Sequence, residues 1–86
     1  MNLEDKKPEI NYPTKWEYKI IGSNINEMIN AVESIVGELE YDITPSNISK
    51  KGKYFSLNLL VLVSSEIERD KIFQELTNHP AMKFVI

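Results

Sequence analysis

From Tyr54 to Val63 the chain alternates. Phe55, Leu57, Leu59, Val61 and Val63 form one set, and Tyr54, Ser56, Asn58, Leu60 and Leu62 form the other. A period of two puts successive side chains on opposite faces of a strand. The first set is wholly apolar and is predicted to meet a core. The second is predicted to line the face turned away from it. Trp16 to Gly22, rich in aromatic and β-branched residues and closed by a glycine, predicts another strand, with Trp16, Tyr18 and Ile20 inward and Glu17, Lys19 and Ile21 outward.

Elsewhere the period changes. Ile25, Met28, Ile29, Val32, Ile35, Val36 and Leu39 recur at helical spacing, and Asn24 with Glu27 reads as a capping box at the start. Gly37 marks a helix end, although Leu39 keeps the period for a further half turn. Tyr41 to Ser49 favours a strand more weakly, since Pro45 cannot donate to a ladder, which makes this an edge strand or one interrupted at its start. Lys50-Lys51-Gly52-Lys53 reads as a hairpin loop. Ser65 and Glu68 form a second capping box, opening a helix predicted to bury Ile67, Ile72, Phe73 and Leu76, with Arg69, Asp70, Lys71, Gln74 and Glu75 outside. That helix stops by Asn78, because His79 precedes Pro80 and is pushed out of helical geometry. Ala81 to Ile86 is the last predicted strand.

The order β-α-β-β-α-β predicts an α+β, ferredoxin-like fold: a four-stranded antiparallel sheet with both helices on one face and the first and third strands at its centre. Residues 1–11 are polar, contain Pro8 and show no periodicity, so they are expected to form a flexible N-terminal arm, with residues 12–86 as a single domain.

Tyr12-Pro13, Trp16, Tyr18-Lys19 and Gly22, together with Ser49, Lys51-Gly52, Tyr54, Ser56 and the ending from Pro80 to Ile86, resemble the YbeD-like family of small, uncharacterised bacterial proteins. The resemblance runs from about Tyr12 to Ile86. It implies a ferredoxin-like fold similar to the ACT domain, a small amino-acid-sensing module of metabolic enzymes, and no established activity. The first turn here reads Ile21-Gly22-Ser23-Asn24, in place of the Asp-x-Pro-Gly type turn common in ACT domains.

Composition narrows the function classes. With 86 residues the chain makes one small domain, with no room for a large internal substrate cavity. A net charge of −3 argues against a protein whose main partner is the nucleic-acid backbone. The chain contains no cysteine, so it has no disulfide, thiol nucleophile or thiolate metal site. The first residues are charged and no apolar segment of a secretory signal follows them. The longest apolar run, Leu59 to Val63, is far too short to span a bilayer, which makes a cytoplasmic location the default expectation.

No catalytic or metal constellation is legible, and no cofactor is expected. His79 is the only histidine and is expected to favour the end of its helix through the dipole. Glu66, Glu68 and Asp70 sit at a helix start, where the dipole already accounts for them. Lys51-Gly52-Lys53-Tyr54-Phe55 superficially matches an RNA-recognition signature, but adjacent aromatics point to opposite faces and only one could stack a base. Trp16, with Tyr12-Pro13 before it, is expected to fold the arm over the sheet edge.

Two surfaces remain. Lys19, Ser56 and Asn58 on the helix-free face, with Lys51 and Lys53 at the hairpin, form a candidate ligand or partner surface. Ile21, Leu60 and Leu62 form a candidate association patch, for a protein partner or a weak homodimer. The expected function is a non-enzymatic regulatory or interaction domain. The alternatives are amino-acid-like sensing and weak nucleic-acid association through the basic hairpin.

Overall fold

The computed structural model describes residues 10–48 and 53–86. Residues 1–9 of the predicted arm, Ser49 at the end of the predicted strand and residues 50–52 of the predicted hairpin lie outside the described residues. The elements are β1 (Thr14–Gly22), α1 (Ile25–Val36), β2 (Tyr41–Ile48), β3 (Phe55–Val63), α2 (Glu66–Asn78) and β4 (Phe84–Val85). The strands form one antiparallel sheet in the order β2-β3-β1-β4, the expected ferredoxin-like arrangement.

The central pair sets the register. β1 and β3 are matched from Thr14 opposite Val63 to Gly22 opposite Phe55. On β3, Leu57, Leu59, Val61 and Val63 are buried; on β1, Tyr18 and Ile20 are buried beside them. They meet Met28, Ala31, Val32 and Val36 of α1, Ile72 and Leu76 of α2, and Met82. The core is therefore one layer between one sheet face and the helices.

Pro45 sits in β2 without costing a ladder bond. The Leu62 N–H donates to the Glu40 carbonyl at 2.9 Å. Alternate residues Asp42 and Thr44 continue that orientation toward β3, so the Pro45 nitrogen points to the free side of an edge strand. The register shifts between Pro45 and Asn47.

Both helices carry the predicted caps. The Asn24 side chain accepts from the Glu27 N–H at 3.0 Å, and α1 ends at Gly37, whose N–H donates to the Glu33 carbonyl at 2.9 Å. Ser65 Oγ accepts from the Glu68 N–H at 3.0 Å. The reciprocal bond of this box reaches one residue further back: Glu68 Oε1 accepts from the Ser64 N–H at 2.8 Å and from its hydroxyl at 3.0 Å.

Three expectations are corrected. Ile67 is 81% exposed, and Arg69 takes the place on α2 that Ile67 was expected to fill. Residues 69, 72, 73 and 76 lie on one helical stripe, whereas Ile67 falls with Asp70, Lys71 and Gln74 on the other side. Ile29 is 40% exposed on the flank of α1. The last strand spans only Phe84–Val85. The residues before it are held in a turn in which the Met82 N–H donates to the His79 carbonyl at 3.0 Å, so pairing with β1 starts late.

Gly22 is required by close approach. A Cβ there would lie 2.5 Å from the Ala81 carbonyl oxygen and 2.8 Å from the Met28 sulfur. Gly22→Ala is expected to destabilise the fold by about 1–3 kcal/mol through overpacking. Leu59→Ala, at a fully buried site, is expected to cost about 2–5 kcal/mol. Leu60→Ala, one residue along on the other face, should cost clearly less. Urea denaturation of the three variants measures all of these.

Candidate functional site

The helix-free face is ordered by the register. From one end, Leu62 lies between Glu40 and Lys15, Leu60 between Asp42 and Glu17, and Asn58 between Thr44 and Lys19. Ser56 then lies beside Ile21, and Ile21 beside Phe84 of β4. Lys19 is directly opposite Asn58, so the structure brings Lys19, Ser56 and Asn58 together as expected. Lys53 is exposed near the start of β3, and Lys51 lies outside the described residues.

Ile21, Leu60 and Leu62 are all half-buried on this face. They do not form one continuous patch, because the row Thr44, Asn58, Lys19 separates Leu60 from Ile21. Lys15 Nζ and Glu40 Oε2 stand 3.9 Å apart on either side of Leu62. Both partners are largely exposed, so this pair contributes little stability, but its stems flank Leu62. At the other end Ile21 is joined by Phe84, 62% exposed, and Ile86, 72% exposed. Sequence reasoning missed those two. Their signal was the alternation Phe84, Val85, Ile86, in which only Val85 turns toward the core.

A polar detail stands out in the middle row. Asn58 Oδ1 is buried and has no hydrogen-bond partner among the described residues. Such an oxygen forfeits its hydration without compensation.

At the other end of the sheet, Arg69 organises an aromatic cluster. Its guanidinium lies 4.5 Å from the Trp16 ring centroid. Its Nη1 donates to Tyr12 Oη at 3.3 Å, its Nε pairs with Asp70 at 3.1 Å, and its Nη2 lies 3.7 Å from Glu66. The Tyr18 hydroxyl donates to the Arg69 carbonyl at 2.7 Å. Burial pushes the Tyr18 hydroxyl up to about 12, while the Arg69 charge pulls the other way. Trp16 and Tyr12 pack against the core, as expected, and Arg69 is the residue that holds them. A cleft of about 370 Å³ opens beside this cluster, lined by Trp16, Tyr18, Phe73 and Ile86 with Glu17, Arg69 and Asp70.

His79 serves the turn that follows it. Its Nδ1 accepts from the Ala81 N–H at 3.0 Å, so the ring, standing at the C-cap of α2 as the sequence placed it, brackets α2 to β4. A groove between the helix ends is bordered by Glu33, Glu38, Glu68 and Glu75 around Lys71. Among the described residues no group of three or more His, Cys, Asp or Glu side chains could hold a metal ion, and no helix is long and apolar enough to cross a membrane. A third cleft, about 350 Å³ and almost wholly apolar, lies between Ile25, Ile29, Ile43, Pro45 and Phe55.

A ferredoxin-like α+β domain with both helices on one face of its sheet is the class that the fold defines. The chain belongs to the DUF493 family, described as a protein of unknown function, whose model matches residues 7–86. It is 44% identical over 78 residues to the uncharacterized protein Cj0253 of Campylobacter jejuni, covering 88% of this chain and 90% of that protein. It is 27% identical over 81 residues to a UPF0250 protein of Leptothrix cholodnii, covering 90% and 89%. The solution structure of HP0495 from Helicobacter pylori superposes with a TM-score of 0.82 at 28% identity, covering 100% of this chain and 94% of that one.

Tyr18→Phe removes one hydrogen bond and is expected to cost about 1 kcal/mol near neutral pH. The folded-state pKa of Tyr18 is raised from 10.0 to about 12. Its stabilisation is therefore fully present below pH 10 and lost as pH rises toward 12. Denaturation at pH 9, 10, 11 and 12 should show the gap between wild type and Tyr18→Phe closing over that window.

Proposed function

We propose that this chain is a bacterial, cytoplasmic, non-enzymatic interaction domain that holds a protein partner on the helix-free face of its sheet. The observation that carries the reading is the apolar content of that face. Ile21, Phe84 and Ile86 cluster at one end, and Leu60 and Leu62 lie at the other between charged neighbours. A sheet face that only meets water needs no leucine, isoleucine or phenylalanine in these positions. Apolar centres framed by Lys15, Glu17, Lys19 and Asp42 match the layout of an interface, in which dry contacts give affinity and charged rims give orientation. The non-enzymatic part is supported by how the reactive side chains are employed: His79 and Tyr18 each hold a backbone group in place.

One observation favours a second reading, in which the face senses a small polar molecule. The unpartnered Asn58 Oδ1 lies beside Lys19, and an ammonium or amide donor together with an anionic group would complement the two. An amino-acid-like ligand carries both.

Phe84→Lys and Leu60→Lys separate these readings from a face without function. Phe84 is largely exposed, so its substitution should change stability by no more than about 0.5 kcal/mol. Both variants are expected to lose a partner captured from bacterial extract by the wild type. Retention of that partner by both would overturn the interaction reading. Sedimentation over a wide concentration range tests the homodimeric version. For the sensing reading, a saturating amino acid should raise the unfolding midpoint, by mass action on the native state. That rise should vanish in Asn58→Ala and Lys19→Ala.

A further inference from the structure

The turn between α2 and β4 is closed by an imidazole. His79 follows the last residue of α2, and its N–H donates to the Leu76 carbonyl at 3.1 Å. Its Nδ1 accepts from the Ala81 N–H at 3.0 Å, and its carbonyl accepts from the Met82 N–H at 3.0 Å. An imidazole nitrogen accepts only while it carries no proton. The observed bond therefore belongs to a neutral ring with its proton on Nε2. Its consequences reach beyond the turn. The Ala81 carbonyl lies against Gly22, Met82 is buried in the core, and the Lys83 N–H donates to the Ile21 carbonyl at 2.7 Å. These contacts set the register that brings Phe84 beside Ile21.

A proton taken up from solvent at Nδ1 turns the acceptor into a second donor, aimed at the Ala81 N–H. The bond is lost, and both N–H groups then need acceptors. The ring has acceptors on its own helix. Apart from that of Leu76, the last carbonyls of α2 lack an intrahelical partner, and they form the negative end of its dipole, which favours an imidazolium. The two roles open to His79, bracket of the turn and charge at the helix end, thus belong to two protonation states. The adjoining elements bring Glu75 of α2, Glu27 of α1 and Lys83 to this end of the fold, and β1 brings no charge between Ile20 and Gly22. Among the described residues none stands within ion-pairing distance of the ring, so the helix end and the Ala81 amide decide between the two states.

We propose that His79 is a pH-operated latch on β4. Neutral, it holds the turn and with it the place of Phe84 on the helix-free face. Protonated, it releases the Ala81 amide and loosens that end of the face. Weaker capture of a partner in acid is the regulation this latch supplies, and that use rests on the interaction reading of the face. The latch itself is read on the free protein, so the two fail separately.

The test follows the His79 ring and the backbone amides of the isotope-labelled protein by NMR from about pH 8 to about pH 5, the range in which histidine changes charge. The Ala81, Met82 and Phe84 amide signals should move with the same midpoint as the ring. Exchange of the Ala81 amide, corrected for its intrinsic pH dependence, should accelerate about fivefold, the equivalent of the one hydrogen bond lost. His79→Asn puts an oxygen where Nδ1 stands, and that oxygen accepts at every pH. This variant should keep Ala81 protected across the whole range. His79→Ala should show the released state throughout. The proposal is overturned if the Ala81 and Phe84 amides do not follow the ring. It is equally overturned if His79→Asn keeps the wild-type pH dependence, which assigns the effect to another group, or if His79→Ala leaves Ala81 as protected as in the wild type at the alkaline end.

Discussion

Because β3 lies between β1 and β2, its alternation decides the face of every other residue in the sheet. Leu57, Leu59, Val61 and Val63 are all buried, and a slip of one residue would drive Ser56 and Asn58 into the core. The register is therefore strongly fixed, and with it the outward direction of Leu60 and Leu62. Those two leucines gain nothing from the core. Their presence opposite a strictly apolar inner set means that the outer face carries its own apolar demand, independent of the demand that folds the domain.

The second organising contact is Arg69. A guanidinium only partly open to water meets an indole face, a tyrosine hydroxyl and two carboxylates, while its carbonyl receives the Tyr18 hydroxyl. The stacking alone is worth about 0.5–2 kcal/mol, depending on how far the pair is desolvated. Its structural consequence is larger than that figure implies. It ties the first turn of α2 to the start of β1, at the end of the sheet that β4 does not reach. Among the described residues, the strand paired with this stretch of β1 is β3.

The fold was legible in the sequence because local and global signals agreed. The alternation of Phe55 to Val63, the caps at Asn24 and Ser65, and the stop before Pro80 each named an element that is present. Pro45 correctly marked an edge. The misreading of α2 came from reading hydrophobicity ahead of spacing. Ile67 was placed inside because it is an isoleucine, and Arg69 outside because it is charged, although Arg69 stands three and four residues before Ile72 and Phe73. Only an aromatic partner such as Trp16 makes a cation acceptable there, and that pairing is fixed by tertiary structure. The length of β4 was equally hidden, since it depends on backbone bonds from Lys83 and Ile86 to β1. Of the candidate site, the juxtaposition of Lys19 with Asn58 followed from alternation on two strands. Phe84 and Ile86 joined it only once the fourth strand had a register.

These features converge on β1. Its inner side chains serve the core and the Arg69 cluster, and its outer side chains frame the helix-free face. A slip of this strand would disturb the core, the clamp on the entering chain and the apolar and charged pattern of the outer face together. That convergence is the structural reason to look for this domain's function at β1 and not in the grooves between its helices.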